Sequence, residues 1–139
     1  MLSARVDRKG FPLVYVNRFY EEQSGFEKAE MLGHRWNFLL GTEVDQKTMQ
    51  LVYRAVRYAK QTKALVHSPR KDGSTYPTVV CLKPIFDSQG GYLYMLGIHL
   101  ALPSVEQERV EAAMQLSDTL ALVLPQVLRN AGNLDEEES

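Results

Sequence analysis

Ala64-Leu65-Val66-His67-Ser68-Pro69-Arg70-Lys71-Asp72-Gly73-Ser74-Thr75-Tyr76-Pro77-Thr78-Val79-Val80-Cys81-Leu82-Lys83-Pro84-Ile85-Phe86 is the stretch on which the fold turns. Two β-rich runs, Ala64 to Pro69 and Tyr76 to Phe86, flank a polar turn. Asp72-Gly73 is expected to supply the positive-φ positions of a tight hairpin. Downstream, Gln89-Gly90-Gly91 reads as a second turn and Tyr92 to Leu100 as a further strand. Two hairpins in succession make an antiparallel meander. Strand alternation sets Leu93, Met95, Gly97 and His99 on one face of the last strand and Tyr92, Tyr94, Leu96 and Ile98 on the other. Both faces are apolar, so both need cover.

The segment after that strand offers the cover. Pro103 to Gln107 reads as a helix start, with Ser104 as N-cap and Gln107 completing a capping box. Val110, Ala113, Met114, Leu120, Val123 and Leu124 form an apolar stripe, which Pro125 should kink or end. Upstream, Leu13 to Val16 read as a buried strand, and Asn17 opens a short helix that turns Phe19 and Tyr20 to the core. Short helices are expected between Glu21 and Gly41. Asp45 is the expected N-cap of a longer helix with Met49, Val52, Val56 and Ala59 on one face.

Composition bounds the function. The chain has 139 residues, enough for one domain with a core that needs no disulfide or metal. A net charge of −1 and scattered basic residues give no general attraction to nucleic acid or an anionic membrane, so neither is expected as a partner. The single cysteine, Cys81, excludes an internal disulfide and suits a reducing compartment. By parity it points away from the face carrying Thr78, as an inert, half-buried thiol. Met1 to Lys9 lack a secretory apolar region and Leu120 to Leu124 are too few to span a bilayer, so a cytoplasmic location is expected. His34, His67 and His99 lack metal-site spacing. Ser24, Ser68 and Ser74 lack a nucleophile elbow, and no phosphate-binding glycine loop occurs. The chain shows no enzymatic machinery.

Gly33-His34-Arg35-Trp36-Asn37-Phe38-Leu39-Leu40-Gly41 resembles the Gly-x-Asn-Cys-Arg-Phe-Leu-Gln motif of light-oxygen-voltage (LOV) domains, a blue-light branch of the PAS sensory fold. Supporting pieces occur in order. Pro12 to Asn17 resemble the family's Pro-Ile-Val-Tyr-Val-Asn strand, while Ser24-Gly25-Phe26 and Met31-Leu32-Gly33 resemble its Thr-Gly-Tyr and Val-Ile-Gly segments. Arg70 to Gly73 reproduce its central turn, and Lys83 to Asp87 with Tyr94 to Ile98 its last strands. The resemblance implies an α+β PAS fold: a five-stranded antiparallel sheet, short helices on one face and a C-terminal helix. It divides the chain into a PAS domain at 1–102, a helical extension at 103–131 and a disordered acidic tail at 132–139.

The same resemblance implies an FMN pocket whose residues here are mostly substituted. Trp36 stands at the photoactive cysteine, and an indole cannot form the thiol adduct. Asn37 and Tyr53 stand at the two arginines that hold the flavin phosphate, and neither makes a charged fork. Leu40 replaces the motif glutamine, Ser68 and Thr78 replace two ring-reading asparagines, and His99 replaces the glutamine that senses flavin protonation. Phe38 matches the motif. These changes disfavour FMN. Trp36 is expected either to fill a collapsed pocket or to stack on another planar ligand, and His99 is the best candidate for a pH- or ligand-sensitive group.

Two functions follow as expectations. The first is a signalling module without flavin photochemistry, acting as a homodimer or on a partner protein. Its interface would use Tyr92, Tyr94, Leu96 and Ile98 with Val110, Met114, Leu120 and Val123. The helix folding flat onto its own sheet is the alternative. The second function is a sensor of a small planar ligand or altered flavin.

Overall fold

A computed structural model describes the backbone of residues 2–5, 11–40 and 44–138, and side chains at 11–37, 40 and 44–123. Five strands form one antiparallel sheet in the order β2-β1-β5-β4-β3. The strands are β1 (Leu2–Arg5), β2 (Leu13–Val16), β3 (Thr62–Pro69), β4 (Thr75–Phe86) and β5 (Tyr92–Ala101). Helices α1 (Arg18–Ser24) and α2 (Lys28–Met31), a 3-10 helix (Trp36–Leu40) and α3 (Gln46–Tyr58) lie between β2 and β3, and α4 (Gln107–Glu138) follows β5. β1 carries no clear signal in the sequence. Its four residues are held only by distant partners, Leu2 facing both Val16 and Gly97.

The elements start and stop where local chemistry dictates. Asn17 caps α1, its Oδ1 accepting from Tyr20 N–H at 3.0 Å, and Gly25 ends the helix with φ of 79°. Tyr20 enters the core as expected, but Phe19, one residue earlier and about 100° around the helix, is exposed. Asp45 caps α3 through Thr48 N–H at 2.8 Å, and Val52, Ala55 and Val56 form its buried face. Both hairpins use one device. The Gly73 N–H donates to Arg70 C=O and the Gly90 N–H to Asp87 C=O, and each glycine then takes a positive φ. Only Gly73 does so in the first loop; Asp72 instead uses Oδ1 to accept from Ser74 N–H and Oγ–H. The loop is thus a turn followed by one left-handed residue, rather than a two-residue turn.

Apolar side chains divide between the two sheet faces. On the inner face, Leu40, Val52, Val56, Val66, Val80 and Met95 pack together, and Leu13, Val16, Tyr20 and Met31 continue that core toward β2. On the outer face Cys81, Leu96 and Ile98 meet Ala121 of α4. The helix therefore lies on its own sheet. Its buried row is Ala113, Ser117 and Ala121, small residues at four-residue spacing that let the backbone approach closely.

Several expectations are corrected here. Leu96 and Ile98 cannot form an interface, because α4 of the same chain covers them. Tyr92 does not share their face: the register shifts between Ile85 and Phe86, so strict alternation fails and Tyr92 turns inward to donate its hydroxyl to Val56 C=O at 2.9 Å. Of the expected stripe, Leu120 packs at the edge of the outer core, Val110 and Met114 are half-buried, and Val123 is exposed. Leu124 lies outside the residues with described side chains.

Ser104 does not cap α4. Its Oγ is buried without a partner, while the Val110 N–H donates to Glu106 C=O and Gln107 turns its amide to Glu111. The first helical bond thus closes two residues later than the capping pattern suggests. Nor does Pro125 end the helix, and residues 132–138 continue it rather than leave it as a separate tail. A proline removes one backbone bond from a helix already nucleated, and each further residue adds one.

Candidate functional site

Backbone bonds to β2 set the position of the motif segment. Leu13 N–H donates to His34 C=O at 2.8 Å and Gly33 N–H to Leu13 C=O at 2.9 Å, with Gly33 at φ of 86°. Arg35 bridges Pro12, and Trp36 N–H donates to Phe11 C=O at 3.2 Å. Trp36 then opens the 3-10 helix that closes the inner face.

Trp36 is partly buried, not sealed as a simple filler would be. Its ring touches both inner core clusters and meets Tyr53 edge-on, centroids 5.1 Å apart. Asn37 Nδ2 donates to the Tyr53 hydroxyl at 3.0 Å, so the two positions matched to phosphate arginines bind each other. Leu40 is buried in the core, and the Phe38 side chain lies outside the described residues. Trp36, Asn37 and Tyr53 flank a cleft of about 670 Å³ whose described walls also include Phe11, Arg35, Gln50, Arg54, Arg57 and Tyr58. Sequence reasoning missed Gln50, Arg54 and Arg57. Their spacing with Tyr53 on one face of α3 is the signal that could have found them.

Ser68, Thr78 and His99 lie elsewhere, on the inner sheet face with Tyr20 and Tyr76. Ser68 pairs with Tyr76 across β3 and β4, Thr78 with Val66, and His99 with Val80. Thr78 Oγ–H reaches the Tyr76 carbonyl at 3.4 Å. Ser68 Oγ, Tyr20 Oη and His99 Nδ1 are buried with no hydrogen-bond partner of good geometry, although the Tyr76 phenol lies beside Tyr20. Burial drives the Tyr20 pKa upward, keeping the phenol neutral. Tyr20 meets the His99 ring edge-on at 5.1 Å. His99 as a residue is only partly buried, but its Nδ1 is sealed, and desolvation lowers its pKa from 6.5 to about 3.

Cys81 takes no part in either group. It is fully buried rather than half-buried, on the opposite sheet face beneath α4, and burial raises its thiol pKa. Such a thiol is a poor nucleophile.

A family model for the PAS domain matches residues 2–99, which include all of the sheet but the last two residues of β5 and every residue of the inner site. This chain belongs to the PAS domain family. Related proteins include a "Blue-light photoreceptor" of Listeria monocytogenes, 26% identical over 86% of this chain and 47% of that protein. Another is "Blue-light-activated histidine kinase 2" of Erythrobacter litoralis, 25% identical over 86% of the chain and 34% of the kinase. The PAS chain thus spans less than half the length of these two relatives.

Solved structures agree on the fold. The LOV domain of the Erythrobacter litoralis EL346 blue-light-activated histidine kinase superposes with a TM-score of 0.69 at 23% identity, covering 74% of this PAS chain and 94% of that domain. The light-state Aureochrome1 LOV domain gives 0.71 at 19% identity, covering 84% and 89%. The PAS domain therefore has LOV neighbours in both sequence and structure. Among the described residues, no helix is long and apolar enough to cross a membrane.

Proposed function

We propose that this PAS domain is a LOV-like sensory and signalling module that works without cysteinyl-flavin photochemistry, through self-association or docking to a partner protein. The observation that carries the reading is the separation of thiol and pocket. Cys81 is sealed on the outer face, while Trp36 stands at the motif cysteine position and packs against both inner clusters. The residues do not fit FMN. Asn37 and Tyr53 are bonded to each other instead of offering cationic forks, and Leu40 is part of the apolar core. Output through association draws support from α4, which buries its small-residue row yet exposes Leu116, Leu122 and Val123.

The test is the absorbance spectrum of the purified chain, followed by FMN titration and by the same measurements on Trp36→Cys. A colourless protein that gains no flavin, with no light-driven adduct in the mutant, is the expected result. Stoichiometric flavin, or reversible bleaching in Trp36→Cys, would refute the reading. The association arm is read by sedimentation: the parent should self-associate or capture a partner, and Leu122→Glu should weaken that contact.

One observation favours a second reading, a small-ligand sensor. Two orphaned polar atoms, on Ser68 and His99, near a Tyr20 hydroxyl whose neighbour is the Tyr76 phenol, are costly in a core unless something pairs with them. A neutral polar molecule with both donor and acceptor would satisfy them. Mass spectrometry of whatever co-purifies distinguishes this reading from the first.

A further inference from the structure

A net charge of −1 conceals a division of charge between two helices on opposite sides of the sheet. From Gln46 to Pro69 the sequence has Lys47, Arg54, Arg57, Lys60 and Lys63 and no Asp or Glu. α4 has the reverse bias, with Glu108, Glu111 and Asp118 in its first half and Asp135 to Glu138 at its end, against Arg109 and Arg129. α3 packs on the inner face through Val52, Ala55 and Val56, and α4 on the outer face through Ala121. The two helices therefore turn their charged sides away from each other. Lys63, on β3, pairs with Asp118 at 2.7 Å, but Lys47, Arg54, Arg57 and Lys60 have no ion pair among the described residues. Asp45, at the start of α3, spends both carboxylate oxygens on Thr48. On α4, Arg109 is engaged by Glu106 at 3.5 Å, which leaves Glu108 and Glu111 without a cation among the described residues.

Each outward side also exposes apolar groups. On α3, Arg54 and Arg57 point away from the buried face, beside Leu51 and Tyr58, which are 46% and 60% exposed. On α4, Glu108 and Glu111 lie opposite the buried row of Ala113, Ser117 and Ala121, with Leu116 exposed next to them. Arg54 and Arg57 stand three residues apart, as do Glu108 and Glu111, and like charges at that spacing destabilise a helix. A helix bearing carboxylates would relieve the first pair, and a helix bearing guanidiniums the second.

We propose that α3 of one copy docks α4 of a second copy, Arg54 and Arg57 meeting Glu108 and Glu111 while Leu51 and Tyr58 lie against Leu116. The proposal rests on the association reading above and names its surfaces. An anionic membrane or a nucleic acid would answer only the cations of α3 and leave the carboxylates of α4 unpaired, whereas a second copy answers both. Because one chain carries the two surfaces on opposite sides, the contact is head-to-tail, and copies add beyond a dimer instead of closing on a two-fold axis.

Sedimentation velocity of the full chain tests this. At ~20 mM salt the weight-average mass should rise with concentration past that of a dimer, and at ~500 mM salt association should weaken at least tenfold. Arg54→Glu with Arg57→Glu, and separately Glu108→Lys with Glu111→Lys, should each abolish it while far-UV circular dichroism keeps the helix content of the parent. Arg54→Gln with Arg57→Gln, a milder change, should weaken it about tenfold. An equimolar mixture of the two charge-reversed chains should associate again, since each offers the surface the other lacks. Association that ignores salt and survives both reversals overturns the proposed surfaces and leaves the association reading standing. A mixture of folded, charge-reversed chains that stays monomeric overturns the proposal as well. So does a parent chain that is monomeric at low salt, and binding of phosphatidylserine vesicles or an oligonucleotide by that monomer would assign the α3 cations to that occupant instead.

Discussion

Replacing Ala121 with glutamate should lift α4 from the sheet and make Cys81 reactive. Ala121 is fully buried against Cys81, Leu96 and Ile98. Burying one Leu or Ile side chain stabilises by about 1.5–3 kcal/mol, so the two sheet residues beneath the helix hold it with about 3–6 kcal/mol. At about 1.4 kcal/mol per factor of ten, that docking protects the thiol by roughly 10²–10⁴. A carboxylate carried into the contact loses its hydration, at several kcal/mol, and Lys63 is already engaged by Asp118 at 2.7 Å. The two magnitudes are comparable, so the undocked state should become populated. Cys81 is the only cysteine, which makes labelling by an aromatic disulfide reagent a clean readout. Labelling of Ala121→Glu should accelerate by about 10²-fold or more, assisted by release of the burial that raises the thiol pKa. Far-UV circular dichroism and Trp36 emission should report an intact PAS core. Leu122→Glu, at a position 72% exposed, should label like the parent. The reasoning is refuted if Ala121→Glu stays folded and labels as slowly as the parent, or if Leu122→Glu accelerates labelling as much.

Further outcomes follow from the inner face and the turns. His99 stays neutral in the folded chain down to about pH 3 but protonates near 6.5 when unfolded. The unfolded state then holds more protons between those values, so stability should fall as pH drops from 7 to 5. Urea midpoints at the two pH values, compared with those of His99→Gln, check this; an equal loss in the mutant would assign the effect elsewhere. Trp36→Ala should cost about 2 kcal/mol, less than the 3–5 typical of a sealed aromatic, because the indole is only partly buried. Denaturant unfolding followed by circular dichroism measures it, and a loss below about 0.5 kcal/mol would contradict the packing role. Gly73→Ala should cost about 1 kcal/mol or more in the same assay, since its φ of 92° strains any side chain. A neutral result would show that the loop relaxes.

The features legible from residue order were local ones. Leu13–Val16, the two hairpins, the Asn17 and Asp45 caps and the amphipathic face of α3 were legible because alternation, glycine and capping oxygens act within a few residues. The motif frame around Trp36 was legible by resemblance for the same reason: its pieces are short and ordered. The tertiary structure alone decided everything that depends on distant partners. β1 exists because β2 and β5 flank it. The inward turn of Tyr92 follows from a register shift against β4 that parity counting cannot see. Ala113 stood on the expected stripe, but Ser117 and Ala121, which complete the row buried on the outer face, look unremarkable beside the larger Leu116 and Leu122 that stay exposed. Close backbone approach rewards smallness, while a hydrophobic stripe read from sequence rewards size. The arginine cleft is the same lesson in charge: Arg35 lies far from Arg54 and Arg57 along the chain, and only the folding of the motif segment against α3 brings all three to one cleft.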